Sequence, residues 1–354
     1  MRVLVGNRYG VIIAELSPLV GEITWLLNDV GKVRLTFSTR DPKTLEIYIC
    51  PGNRVYIEFD NGLPPWGGVM DPPIIWGHGT VSIGVYTILY SLKSRLTEKN
   101  DDFYEWQVGE IFQWVLERTQ QKGPLGITYG EIWKGGNPHY PRYNYKTLWY
   151  VLDYSLRGLE TCDFDFVPYI EDSVIKFQAN FTQVAGSDKT SEVTFSEGSN
   201  VAHDFILEEQ GPIINSHYAV AEGSVWDETR TVIIGNVQAS IAKYGLRESR
   251  VIYAKISMPA ALELYARKVL KENAYPRKIF QLSVTNNEPG TFASYDLGDV
   301  VGCKLPSYLF GGFDENVRVL GREYDPQSGE CKLVVEQPRD LQYWFIEEEA
   351  SLEE

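Results

Sequence analysis

Through the first hundred residues, β-branched and aromatic positions recur in short runs, several of them alternating with polar ones. Runs at 11–15, 22–27, 32–38, 54–59 and 80–90 are separated by Asn28-Asp29, Asp41-Pro42, Pro51-Gly52-Asn53, Asn61-Gly62 and Pro64-Pro65. Strands this short at this spacing predict an antiparallel barrel or sandwich. Asn61-Gly62 marks a tight hairpin whose return strand is 66–70. The period then changes. Val108, Ile111, Phe112 and Val115 fall at i, i+3, i+4 and i+7, which predicts a helix over 103–121. Asp101 and Asp102 stand at its N-cap, Lys122 at its C-terminal end, and Gly123-Pro124 stops it. Leu148, Leu152, Leu156 and Leu159 predict a second helix over 145–159, capped by Asn144. The breaker-rich 135–141 between the two helices is a loop. A hairpin, 163–167 with 174–177, completes a small α+β unit.

Strand patterns return after Gly186, at 192–196, 213–221, 231–235, 237–244 and 250–256. One helix interrupts them, with Ser257 as cap, Pro259 in its first turn and Leu262, Tyr265, Ala266, Val269 and Leu270 on one face; it ends before Pro276. Strands at 278–285, 299–303, 316–324 and 331–336 follow. No short-period repeat is present. The expected fold is mainly β with an α+β insert: two antiparallel barrel-like domains separated by a small helical domain. The boundaries are 1–98, 99–190 and 191–345, with a frayed acidic tail at 346–354.

Composition narrows the function classes. The 354 residues are 44% hydrophobic and 23% charged, which is ordinary for a globular chain. No run is long enough to span a membrane. Met1 to Gly10 has neither an apolar core of signal-peptide length nor a cleavage-like site, so folding in a cytoplasm is expected. The net charge of −15 argues against binding nucleic acid by phosphate neutralisation. Residues 1–98 are neutral, whereas 99–210 carry 9 basic against 18 acidic side chains. An acidic face ordinarily serves solubility; in a tube-like object it would also repel a passing polyanion.

Candidate chemistry is sparse. Cys50, Cys162, Cys303 and Cys331 are far apart and form no CxxC, so they read as free thiols. His78, His139, His203 and His217 lack metal-ligand spacing. In Gly186-Ser187-Asp188-Lys189-Thr190 a carboxylate stands where a phosphate loop needs glycine, and it would repel phosphate. Asp163 and Asp165 share one face of a strand, ~7 Å apart, the arrangement of a carboxylate pair; a half-exposed strand explains it equally. Trp76 and Trp133, on loops, are the tryptophans placed for a binding surface; the others read as core or interface. No catalytic, cofactor or metal residue is assigned, and no enzyme activity is expected.

The order of several motifs resembles the central tail-hub proteins of long-tailed bacteriophages and related injection machines. The run 22–27 followed by Asn28-Asp29-Val30-Gly31-Lys32-Val33-Arg34-Leu35-Thr36-Phe37 looks like that family's opening barrel. So do Pro51-Gly52-Asn53-Arg54-Val55-Tyr56-Ile57 and the Trp66-Gly67-Gly68 step after Asp60-Asn61-Gly62. Gly186-Ser187-Asp188-Lys189-Thr190, Val193-Thr194-Phe195 and Gly198-Ser199-Asn200-Val201 are similar to its middle region. Tyr244-Gly245-Leu246-Arg247-Glu248 is similar to its Y-G-x-R-E turn, and Leu297-Gly298-Asp299-Val300-Val301 to its late strand entry. The resemblance implies a virion protein assembled in the host cytoplasm. It further implies a homotrimer whose barrels form a pseudo-sixfold ring, joining the tail tube to the tip or baseplate around a channel for DNA. Its partners would be tail-tube, distal-tail and tip or fibre proteins, and any lysin activity would sit on a separate protein. Open strand edges, such as that of 80–90, would complete sheets across subunits. The alternatives are a cell-wall hydrolase of peptidoglycan or polysaccharide using Asp163, Asp165 or Glu197, and a carbohydrate-binding module using Trp76 and Trp133.

Overall fold

The computed structural model describes residues 1–41, 47–99, 101–136, 139, 142–156, 162–221, 229–253, 259–307, 312–337 and 344–351. The chain forms two compact units, Met1–Phe205 with Gln281–Val335, and Ile206–Phe280 with Glu336–Glu354. The boundaries expected at 98, 190 and 345 follow changes in element pattern, whereas these units follow the density of contacts.

In the first unit, alternation produces a barrel. Lys32–Ser38 buries Val33, Leu35 and Phe37, registered against Val85, Ile83 and Val81 of Thr80–Tyr86. The strand order is Ile12–Leu16, Arg2–Gly6, Arg54–Glu58, Trp66–Gly77, Thr80–Tyr86, Lys32–Ser38, Leu19–Val20. Its two ends are joined by Ser17 and Pro18 alone, so the sheet curls until its outer strands nearly meet. The return strand after Asn61-Gly62 is present, but pairing begins at Ile57 with Trp66, so the connection is a longer loop than a tight hairpin. The expected strand 80–90 ends at Tyr86 and gives way to a 3₁₀ turn, Ile88–Ser94.

A second sheet runs Thr194–Ser196, Val300–Leu305, Phe313–Tyr324, Cys331–Glu336, Arg277–Val284, Val201–Gln210. Its end strands are again consecutive in sequence, linked by Glu197, Gly198, Ser199 and Asn200. Thr194–Ser196 pairs parallel with Val300–Leu305 and the partner of that strand is antiparallel. Ile23–Leu26 leaves the first barrel's sequence and pairs with Phe313–Tyr324, stitching the two sheets together.

The insert packs one helix on three strands. Val108, Ile111, Phe112, Val115 and Leu116 of Val108–Gln121 are fully buried, and Phe112 stacks on Phe181 at 4.8 Å. Beneath lie Ile127–Ile132, Val174–Thr182 and Asp163–Glu171, the first pair parallel and the second antiparallel. The helix begins later than its stripe implied. Gln107 and Glu110 form a capping box, and Asp101–Asp102 is not the cap but a short strand against Arg142–Tyr143. The expected second helix is a single turn, Leu148–Tyr150, continued with π geometry over Val151–Leu156; Thr147, not Asn144, caps it through a 3.0 Å bond from the Tyr150 amide. Leu159 and most of the loop 135–141 lie outside the described residues.

The second unit has a four-stranded sheet, Glu248–Tyr253, Ser216–Ala221, Thr229–Asn236, Trp344–Ser351, with Leu262 and Ala266 of the helix Pro259–Asn273 packed on Ala219, Ala221 and Ile233. Two expectations are corrected here. Residues 237–244, read as a strand, contain the helix Gln238–Tyr244, which Gly245 stops in a positive-φ conformation. The acidic tail does not fray as a whole: Trp344–Ser351 is a strand antiparallel to Thr229–Asn236, a backbone partner that a run of glutamates does not predict. The cap at Ser257 lies outside the described residues.

Candidate interaction surfaces

The carboxylates proposed from sequence are held by the fold. Asp163 is buried, accepts hydrogen bonds from Asn28 Nδ2 (2.6 Å) and the Ala185 amide (2.8 Å), and pairs with Arg318 at 2.5 Å. Arg318 in turn donates to the carbonyls of Ala185 and Gly298, and Asn28 accepts from the Phe164 amide. One side chain thus joins a turn of the first barrel, the insert and the second barrel. A carboxylate committed to a guanidinium and two further donors is not free to act on a substrate. Asp165, two residues on, is half-buried, and burial pushes its carboxyl above the usual range; repulsion from Asp296 adds to this and a hydrogen bond to Asn180 opposes it. Glu197 lies in the turn that closes the second barrel and accepts from the Ser307 amide at 2.9 Å.

Two shallow surface depressions contain none of these three. One, ≈ 280 Å³, is lined by Glu22, Glu323, Asp325, Gln327, Glu330 and Lys332; the other, ≈ 320 Å³, lies beside Pro64, Phe292 and Asp296. Among the described residues no group of three or more His, Cys, Asp or Glu side chains is arranged to hold a metal ion, and no helix is long and apolar enough to cross a membrane.

The remaining candidates scatter. His78 is exposed at a hairpin tip, His139 is buried, and the side chain of His203 lies outside the described residues. His217 is fully buried, Nδ1 2.6 Å from Ser249 Oγ and Nε2 3.2 Å from Tyr253 Oη; burial pushes its pKa down to about 4, so it is neutral at pH 7. Cys162, Cys303 and Cys331 are buried and Cys50 is exposed, all as free thiols. Trp133 is not a surface platform: it is half-buried against the insert core, and its amide donates to the Phe181 carbonyl. Trp76 is 61% exposed, next to Ile75 at 48%, at the outer end of Trp66–Gly77.

Motifs that sequence gave separately meet in space. Ser187 donates through its amide (2.7 Å) and hydroxyl (3.1 Å) to Asp299, while Lys189 and Ser187 exchange backbone bonds with Val300. Gly186, at φ +85°, fits against Gly298, where a Cβ would lie 2.1 Å from a backbone carbon. Asp188 accepts from the amide and hydroxyl of Thr190, which lowers its pKa and leaves a strand lock rather than an anion site. Gly67 has the same kind of reason: a Cβ there would come within 2.5 Å of Pro168 of the insert. Thr80–Tyr86, expected to offer an open edge, is flanked on both sides by Trp66–Gly77 and Lys32–Ser38. The interlocking of the two motifs left no hydropathy signal, because it runs through polar bonds of the backbone and of Ser187 and Asp299.

The described residues therefore define a two-barrel scaffold whose conspicuous polar groups hold the fold together. No protein-family model and no curated protein matches the sequence. Among solved structures, the chain is similar to the prophage MuSo2 43 kDa tail protein from Shewanella oneidensis, with a TM-score of 0.62 and 12% identity over 95% of this chain and 98% of that one. It is similar to prophage tail protein gp18 from Listeria monocytogenes, at 0.60 and 11% over 96% and 95%. A third likeness, at 0.54 and 11% over 92% and 74%, is to an Escherichia coli type VI secretion component that itself shows structural similarity to T4 bacteriophage tail proteins gp27 and gp5. The chain shares its fold with these phage tail proteins.

Proposed function

We propose that this protein is a structural hub of a phage-type tail. Three copies form a ring, two barrels from each giving pseudo-sixfold symmetry, and the ring joins the tail tube to the tip or baseplate while DNA passes through its centre. The observation that carries this reading is the pair of sheets closed by the same device, end strands joined by a short connection, within one chain. The full-length likeness to phage tail proteins supports it. A wall carrying the acidic excess of 99–210 would let a polyanion slide rather than bind. The neighbours would be tail-tube, distal-tail and tip or fibre proteins, the location the virion, and assembly would take place in the host cytoplasm. No catalysis is proposed, and the engagement of Asp163 with Arg318 speaks against the hydrolase alternative.

Negative-stain microscopy of the purified protein at micromolar concentration tests this. Three-lobed rings with an open centre are expected. Compact single particles, with glycan binding lost on Trp76→Ala, would favour the carbohydrate-binding module instead.

A further inference from the structure

The hub reading makes no use of His217, a fully buried imidazole that joins several elements of the second unit. It lies on Ser216–Ala221, registered between Ser249 of Glu248–Tyr253 and Gly235 of Thr229–Asn236. Both ring nitrogens are committed to hydroxyls of one neighbouring strand: Nδ1 lies 2.6 Å from Ser249 Oγ, and Nε2 lies 3.2 Å from Tyr253 Oη. Ser249 and Tyr253 are the two residues of Glu248–Tyr253 that are partly buried, and the other four are exposed. The Tyr253 ring carries the contact onward, stacked on Tyr265 of the helix Pro259–Asn273 with centroids 4.6 Å apart. The side chains that this strand turns inward therefore converge on one imidazole and, through Tyr253, on the helix.

A neutral imidazole suits this site. It offers one N–H and one lone pair, so one hydroxyl donates to it and the other accepts from it. An imidazolium would bring in a charge that needs a counter-charge. The surrounding elements turn their charges elsewhere. On Glu248–Tyr253, Glu248 and Arg250 alternate to the face opposite Ser249, and Glu248 accepts from Tyr218 Oη at 2.8 Å. On Ser216–Ala221 and Thr229–Asn236, the residues sharing the His217 face are Ala219, Ala221, Ile233 and Gly235. The helix packs Leu262 and Ala266 against that face. Its charged residues are Glu263, Arg267, Lys268, Lys271 and Glu272, of which Glu263 and Arg267 pair with each other at 2.8 Å. The titratable groups that remain are the phenols of Tyr253 and Tyr265, which carry no charge below pH 7.

We propose that His217 is a proton-operated latch of the second unit: neutral, it holds Glu248–Tyr253 and the helix Pro259–Asn273 on the sheet, and its protonation in mild acid releases them. Burial pushes the folded pKa down to about 4, whereas an opened site returns the ring to its ordinary value of 6.5. The folded state thus binds the proton less tightly than the open one. Stability from the latch is complete above pH 6.5 and is lost as pH falls from there through about 4. The first barrel supplies an internal control, because Lys32–Ser38 and Thr80–Tyr86 contain no His, Asp or Glu. The latch acts within one chain and does not rest on the ring.

The test is hydrogen exchange on the unmodified full chain between pH 7 and pH 4, corrected for the intrinsic rate at each pH, together with an NMR titration of the His217 ring. Opening of 248–253 and 259–273 is expected to increase on the order of a hundredfold by pH 4, with 32–38 and 80–86 unchanged. The His217 ring should take up its proton over the same range. His217→Gln keeps one donor and one acceptor but does not titrate, and it should flatten the response. Protection of 248–253 that persists to pH 4 overturns the latch. So does a His217 ring that titrates near pH 6.5 while 248–253 stays protected, a result that needs no variant. Acid opening that survives in His217→Gln assigns the response to another group, and loss of protection shared equally by 32–38 marks general unfolding; either outcome overturns the proposal.

Discussion

The two barrels close in the same way and are held shut by different chemistry. In the first, Ser17 and Pro18 carry the chain from one end strand to the other, and the interior is a run of aliphatic and aromatic side chains: Val3, Val5, Leu35, Ile57, Trp66, Ile83. In the second, the closing turn is built on Asn200, fully buried, whose side chain accepts from the Ser196 amide at 2.7 Å and donates to the Thr194 carbonyl at 2.9 Å. Arg322 is buried in the second barrel with its guanidinium over the Tyr295 ring, 4.6 Å from the centroid, and donates to the Tyr295 carbonyl. Burial raises the Tyr295 hydroxyl pKa, and it pushes those of Cys303 and Cys331 up to about 12, so these groups stay neutral. The same closure can therefore be made by a stiff linker or by a buried side chain bonded to the turn's backbone. The second route is the more vulnerable to single substitutions, because a lost partner leaves a buried donor or acceptor unpaired.

The largest effect is expected where the barrels are tied together. Asp163→Ala removes the acceptor for Asn28, Ala185 and Arg318 at once. Removing one partner of a buried ion pair costs 3–5 kcal/mol, and because the Arg318 side chain is 21% exposed the lower end applies, about 3 kcal/mol. Urea unfolding measures it; Asp163→Asn, which keeps shape and one carbonyl oxygen, should lose less. A loss under about 1 kcal/mol would mean that the barrels do not depend on this junction.

Next comes the direct contrast between the two closures. Asn200→Ala deletes both turn bonds and leaves the Ser196 amide without its side-chain acceptor, for an expected loss of about 2 kcal/mol. Pro18→Ala changes only the freedom of the unfolded chain, for a loss of about 0.4–1 kcal/mol. Hydrogen exchange should show the first substitution loosening 194–205 and the second loosening 12–20. Equal losses would erase the distinction drawn between the barrels.

How far the sequence revealed this depended on which kind of force dominated. The first barrel was legible because alternation at Val33, Leu35 and Phe37 against Val81, Ile83 and Val85 is written in hydropathy. The stripe of Val108–Gln121 was legible for the same reason. The first turn of that helix was not, because Gln107 is a weak capping signal and Asp101 and Asp102 offered a stronger one that pairs with Arg142–Tyr143 instead. Residues 237–244 misled because Val237, Ile241 and Tyr244 suit a strand; a buried node around Asn215, which accepts from the Arg247 amide and donates to the Gly245 carbonyl, shapes the turn after the helix from far along the chain. The interlock of Ser187 with Asp299 was legible only as two disconnected motifs. The carboxylate pair was visible as a pattern, but its meaning lay in Arg318, 155 residues away.

The smallest effect concerns the neighbour of that junction and turns on pH. Asp165 lies on the same strand as Asp163, yet burial and the nearby Asp296 raise its pKa, against the lowering hydrogen bond to Asn180. An acid whose folded pKa lies above its unfolded value, about 3.9, holds its proton more tightly when folded. Stability from this group is therefore highest in acid, falls as pH rises from the unfolded pKa through the folded one, and stays reduced at neutral pH. Asp165→Asn retains a hydrogen-bonding partner for Asn180 and removes the charge that Asp296 repels. It should raise the urea midpoint at pH 7, and the gain over the unmodified protein should shrink to nothing below about pH 3.9. Asp163→Asn should move the midpoint the other way at pH 7, so two like substitutions one strand step apart are expected to have opposite signs. If Asp165→Asn also lowers the midpoint at pH 7, the charge on Asp165 is itself stabilised by the fold, and the second barrel's side of the junction is as electrostatically complementary as the Arg318 side.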